Sequence, residues 1–275
     1  MTKIFDAHTH AFPAKIAKTT LEALSSRSGA IPHTDGTIPG LLDYERAAAA
    51  CLLLPIATRP HSVRTINEWA AAHVSDRLLA FGSLHPDSED LAGDLRHLRA
   101  LGLRGVKLHP HYQGFPADDA HLYPLYDAVF GCGLPLCLHA GLDPGFPGSD
   151  FSDVRRIATV AEDFPHGRII AAHLGGFEQL RDVFEQLAGR PNVWMDTSYA
   201  AERTPPQDIR RLVRAHGATQ FFFGTDAPWA DFAVSRDALL TSGLSEAVLR
   251  DIFWNNAAAF FGLDDIAPAE AGDVT

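Results

Sequence analysis

Cysteine is scarce, with Cys51, Cys132 and Cys137 the only three in 275 residues. An odd set with no ligand-pair spacing supplies neither a disulfide framework nor a cysteine-based metal knot. Cys51 and Cys137 lie inside apolar runs and read as small buried hydrophobes. No run approaches the roughly 18 apolar residues of a membrane span. The opening Met1-Thr2-Lys3-Ile4-Phe5-Asp6 meets an acid before an apolar signal core could form. These absences predict a cytoplasmic protein. Basic charge is also in deficit, with 23 Lys and Arg against 34 Asp and Glu for a net charge of −11. A field of that sign repels phosphate, which argues against nucleic acid and anionic membranes and leaves a small molecule as the expected partner. A homo-oligomer stays open. No Gly-rich turn follows the first apolar run, so the signature of a dinucleotide-binding doubly wound sheet is missing.

What is present can build a core. Apolar residues make up 46% of the chain, far from the composition of disordered segments. Short apolar runs recur at 4–5, 50–55, 78–84, 103–108, 134–138, 168–172, 192–196 and 220–224. Gly, Pro, Asn or Asp bound them, as befits buried parallel strands. Between them, 63–77, 91–101, 154–164 and 180–187 repeat apolar residues near a 3.6-residue period. Ser62, Ser88 and Ser245 are the expected helix N-caps. Strand–helix units repeating at roughly 30 residues predict an α/β protein, a single (β/α)8 TIM barrel over 1–263. Segment 12–40 breaks the alternation and predicts a helical and loop excursion after strand one, placed over the barrel mouth. The small, acidic stretch 264–275 predicts a flexible tail.

Histidine, at fourteen, is abundant, and its placement is not random. Barrels of this kind carry their chemistry at the C-terminal ends of the strands. There the sequence puts His8 and His10, then Lys107 with His109, then His139, His173 and finally Asp226. Two imidazoles two residues apart on a strand share one face, here the interior, together with Asp6. Buried imidazoles need partners, and borderline divalent metals bind imidazole and carboxylate readily. His33, His61, His73, His97, His121, His166 and His216 fall in helices or loops and read as surface residues.

The runs Phe5-Asp6-Ala7-His8-Thr9-His10, Leu138-His139-Ala140-Gly141, Ala172-His173-Leu174-Gly175-Gly176 and Phe223-Gly224-Thr225-Asp226-Ala227-Pro228-Trp229 resemble the amidohydrolase superfamily. The pattern is that of the branch that includes aminocarboxymuconate-semialdehyde decarboxylase and related metal-dependent hydrolases. The resemblance runs from about Lys3 to Leu263. It implies one divalent metal, zinc by expectation, held by His8, His10, His139 and Asp226, with His173 working beside it. A second metal bridged by a carboxylated Lys107 is the lesser alternative.

On chemical grounds such a site keeps a position for water, whose proton Asp226 could take, while His173 hydrogen-bonds the water or the developing oxyanion. His173 as a satisfied core histidine is the competing reading. Lys107, His109, His111, Arg59 and Trp229 are the substrate-binding candidates. Asp6 either orients a metal ligand or forms a core salt bridge. The leading expectation is hydrolysis of an amide, ester or lactone. Non-oxidative decarboxylation of an aromatic or enol acid is the alternative, with Arg59 or Lys107 to receive the carboxylate. A non-catalytic metal-binding barrel is the third.

Overall fold

The computed structural model describes residues 3–263; the tail expected at 264–275 lies outside the described residues. Nine strand segments run in chain order: β1 (Phe5–Thr9), β2 (Ala50–Leu53), β3 (Leu78–Ala80), β4 (Gly82–Ser83), β5 (Val106–Leu108), β6 (Leu136–Leu138), β7 (Ile169–Ala171), β8 (Val193–Asp196) and β9 (Phe221–Phe222). Every neighbouring pair is parallel. β3 and β4 are one barrel strand interrupted at Phe81, whose N–H donates to Leu53 O while the next, Gly82 N–H, donates to Gly105 O. The ring closes where Ala7 N–H donates to Phe223 O and Asp226 N–H to His8 O. Eight barrel strands result, the TIM-barrel fold expected from the alternation of apolar runs and amphipathic helices.

Phe5, Leu52, Phe81, Cys137, Ile170 and Phe222 form one buried cluster. Residues from strands all around the ring can meet only in the barrel interior. Phe261 packs tilted against Phe5 and edge-on against Phe81, so the helix Asn256–Phe261 covers the end of the barrel where the strands begin. A second cluster fills the layer between strands and outer helices.

The pairing of β1 with β2 slips between Asp6 and Thr9, so that three steps on β1 match two on β2. This bulge reverses the side-chain alternation. Asp6 therefore does not share the inward face with His8. It sits by Glu45 and Cys51 instead, where Oδ1 accepts the N–H groups of His8 (3.0 Å) and Thr225 (3.1 Å). It neither orients a metal ligand through its ring nor pairs with a cation, but stitches β1 to the segment after β9. Burial raises its carboxyl to about 7.

The helices follow the expected periods, with differences at their ends. Ser245 caps Glu246–Arg250 by accepting Val248 N–H. Ser62 instead donates to Arg59 O, and Ser88 donates to Asp94. The cap of Leu91–Ala100 is Asp90, which accepts with a carboxylate where a serine would offer a hydroxyl. The run 180–187 begins with an α turn, Leu180–Asp182, and continues as the π-helix Val183–Leu187. His216 is buried, not at the surface: its Nε2–H donates to Val193 O at 3.0 Å and its Nδ1 accepts Gly189 N–H at 3.1 Å. The excursion at 12–40 forms α1 (Ala17–Ser28) and the start of α2 (Ile38–Tyr44). It is pinned by Phe12 N–H to Gly36 O and His33 N–H to Pro228 O. No helix among the described residues is long and apolar enough to cross a membrane.

Candidate metal centre and substrate cavity

The strand ends open into a cavity of about 200 Å³, roofed in part by Thr20, Leu24 and Ser28 of α1. Its walls are mostly apolar, and its polar groups come from the strand ends: His8, His10, Lys107, His109, His139, His173 and Asp226 all line it. Two of these, His173 (φ 61°) and Asp226 (φ 75°), hold the left-handed backbone conformation that non-glycine residues rarely adopt. The turns after β7 and β9 thus bend sharply where both side chains enter the cavity.

The hydrogen bonds fix which nitrogen of each ring is free. His10 Nδ1 lies 2.8 Å from Leu54 O; a carbonyl only accepts, so Nδ1 carries the hydrogen. His8 Nδ1 donates to Asp196 Oδ2 at 2.8 Å. Burial, together with the Lys107 ammonium, lowers the His8 imidazole to about 4 and keeps it neutral at pH 7. Nε2 of His8 then presents a lone pair at 3.4 Å from Asp226 Oδ1, and Nε2 of His10 faces the same oxygen at 3.2 Å. Lone pairs facing a carboxylate are unfavourable, and a divalent cation among them would relieve this beyond what Lys107 Nζ, 3.4 Å from His8 Nε2, supplies. Ligand atoms at about 2.0–2.1 Å around a tetrahedral ion sit about 3.3 Å from one another, the spacing found here. His8, His10 and Asp226 form a group whose ligand atoms lie within 4.8 Å, so these residues fit a divalent metal.

Around this triple, Asp196 is the residue that the sequence reasoning missed. Burial alone would raise its carboxyl. The bonds from His8 and from the Ser198 hydroxyl outweigh that and hold it well below the ordinary range. It also accepts His173 N–H at 3.0 Å and Ser198 N–H at 3.1 Å. Its signal was its position, the terminal residue of an apolar strand, the criterion that had singled out His139 and His173. Lys107 is fully buried, with Nζ 3.4 Å from His8 Nε2 and 3.7 Å from Cys137 Sγ.

His173 donates from Nδ1 to Ser198 O (3.1 Å), so its Nε2 accepts the Nδ1–H of His139 at 3.0 Å. Burial lowers both imidazoles below their ordinary value. His139 therefore reaches the cavity, but its Nε2 faces Asp143 at 3.8 Å, and it is not within the group formed by His8, His10 and Asp226. Trp229 lines the cavity. Arg59 is exposed on the loop after β2 and is outside the lining. His109 lines the cavity and His111 is buried behind it against Phe146 and Phe151. Asp143, Tyr112 and Tyr199, which the sequence reasoning did not select, belong to the lining as well.

A sequence profile described as Amidohydrolase matches residues 5–263. No curated protein sequence matches. Among solved structures, a TIM-barrel protein from Bordetella bronchiseptica superposes with a TM-score of 0.78 at 18% identity, covering 95% of this chain and 99% of that one. A candidate 2-pyrone-4,6-dicarboxylic acid hydrolase from Pseudomonas putida superposes with a TM-score of 0.68 at 22% identity, covering 96% and 99%. A dihydroxybenzoic acid decarboxylase from Polaromonas, with bound manganese and the inhibitor 2-nitroresorcinol, gives 0.66 at 17% identity, covering 96% and 98%.

Proposed function

The chain belongs to the amidohydrolase family, and from that premise we propose that it is a metal-dependent decarboxylase of a small aromatic carboxylic acid. The observation that carries the reading is Lys107, a fully buried cation in a largely apolar cavity, beside the donors His8, His10 and Asp226. An apolar slot accepts a ring, and a single buried ammonium selects a ligand with one anionic group. The similar structures named for a dihydroxybenzoic acid and for a pyrone dicarboxylic acid support a planar, carboxylated substrate.

The metal would be held by His8, His10 and Asp226, with His139 as the further ligand of the proposal. Zinc suits such a set, and manganese is what the Polaromonas protein holds. When bound it supplies a Lewis-acidic anchor for a substrate oxygen. Lys107 orients the carboxylate, while Leu54, Ile56, Phe177 and Trp229 flank the ring and exclude water. The bond between ring carbon and carboxylate breaks, its electron pair stays on the ring carbon, and carbon dioxide leaves. That carbon takes up one proton, which comes from solvent; Asp226, whose carboxyl is held, against burial, below its ordinary value by His10 and His8, and His173 line the same cavity and would relay it. His173 is neutral, donates from Nδ1 to Ser198 and accepts the Nδ1–H of His139 at Nε2, so the two rings form a chain along which a proton would pass.

Hydrolysis of a cyclic ester is the second reading, favoured by the likeness to the candidate pyrone hydrolase. Protein loaded with zinc or with manganese, given hydroxybenzoates and pyrone or lactone carboxylates in parallel, separates the two. Carbon dioxide released from a hydroxybenzoate is the expected result. Ring opening of a lactone with no carbon dioxide from any acid would replace decarboxylation with hydrolysis.

A further inference from the structure

A second convergence of donors lies on residues that the proposed reaction does not use. Oδ2 of Asp143 is 3.3 Å from His109 Nε2. A ring nitrogen from each of His109 and His111 and a carboxylate oxygen of Asp143 lie within 4.8 Å of one another, and all three residues are buried. The two histidines flank Pro110 on the short helix after β5, and Asp143 follows β6, so neighbouring strand ends meet here.

The arrangement is not a set of ordinary ion pairs. Ser152 Oγ donates to Gly141 O at 2.8 Å, so its contact of 3.2 Å with His111 Nδ1 requires that nitrogen to carry the hydrogen. Nε2 of His111 is left with a lone pair and has no hydrogen-bond partner among the described residues; His109 Nδ1 also has no hydrogen-bond partner there, which leaves Nε2, facing Asp143, as its ligand end. Burial holds both imidazoles toward the neutral form. A serine that fixes the tautomer and leaves the other nitrogen bare is the support that metal-binding histidines use.

The remaining members are equally fixed. His109 stacks on His139 at 4.2 Å and 14° and meets Tyr112 edge-on at 4.4 Å. Asp143 Oδ1 accepts Gly145 N–H at 2.6 Å. The loop that carries it is tied down at Gly141 (φ 87°), where any Cβ would collide with the backbone of Phe177. Burial raises the Asp143 carboxyl to about 6, the Gly145 N–H and the Arg27 charge offset this only in part, and a cation joined to the group would offset more.

We propose that His109, His111 and Asp143 form a second divalent-cation site, distinct from His8, His10 and Asp226 and independent of any modification of Lys107. Two imidazoles and one carboxylate suit a borderline ion such as zinc or cobalt(II).

The test is titration of the metal-stripped, full-length chain with cobalt(II), read by visible absorption and by metal content after gel filtration. The parent is expected to bind two equivalents. His111→Gln with Asp143→Asn is expected to bind one fewer than the parent, and His8→Gln with His10→Gln also one fewer. A His111→Gln, Asp143→Asn protein that binds as much cobalt as the parent overturns the proposal. Loss confined to that variant, with His8→Gln, His10→Gln unchanged, upholds it and refutes the first site instead. Circular dichroism checks each fold. If the double variant unfolds, Asp143→Asn alone decides: weakening of one equivalent by about tenfold or more supports the site, and unchanged affinity refutes it.

Discussion

His8 Nδ1 lies 2.8 Å from Asp196 Oδ2 with both side chains sealed from solvent, which leaves His8 Nε2 to face Asp226 at 3.4 Å. The carboxylate at the end of β8 thus sets both the tautomer and the aim of a ring on β1, across the barrel interior. Supporting carboxylates of this kind make the imidazole a better ligand and hold its direction.

Asp196→Asn keeps the size and removes the charge. Metal affinity, measured by competition with a chelator, is expected to fall about 10- to 100-fold while the fold persists. Unchanged affinity would mean that Asp196 merely fills the interior.

His173 is proposed to move a proton without holding the metal. Asparagine tolerates its left-handed backbone (φ 61°), so His173→Asn isolates the imidazole. Metal content is expected to match the parent, and kcat/KM to fall by about 10²–10⁴. Turnover at the parent rate would return His173 to the role of a core histidine.

The barrel and much of the candidate site are legible because both rest on periodic signals. Apolar runs mark strands, and a residue that ends a strand in this fold faces the mouth; His8, Lys107, His173 and Asp226 were found that way. The same rule would have found Asp196, had the carboxylate at the end of β8 been given the weight of the histidines. Asp6 was misplaced because a bulge shifts the alternation by one, and nothing in Phe5-Asp6-Ala7-His8 announces a bulge. Asp143 was invisible because it lies on a loop, where position depends on the tertiary contacts of Gly141 and Phe177 and not on period. His216 looked like a surface residue on an amphipathic helix, but it ends that helix against the backbone of Val193 and Gly189.

That histidine gives a pH prediction away from the metal site. The ring donates from Nε2 and accepts at Nδ1, the pattern of the neutral form, and burial lowers its pKa below the ordinary value against the opposing pull of the Val193 and Leu187 backbone. The unfolded chain, with an imidazole near about 6.5, takes the proton first. The contribution of His216 to stability is therefore complete above about 6.5 and is lost as pH falls below it, at up to about 1.4 kcal/mol per pH unit. Urea unfolding near pH 7.5 and about pH 5.5 should show a smaller acid-induced loss in His216→Gln than in the parent. Equal losses would show that the ring titrates alike in both states.

The most direct test of the metal centre is anomalous scattering from a zinc-loaded crystal, recorded across the zinc absorption edge. A peak is expected about 2.0–2.1 Å from both His8 Nε2 and His10 Nε2 and about 2.0–2.2 Å from a carboxylate oxygen of Asp226. A zinc-loaded crystal in which those three atoms border no anomalous peak would contradict it.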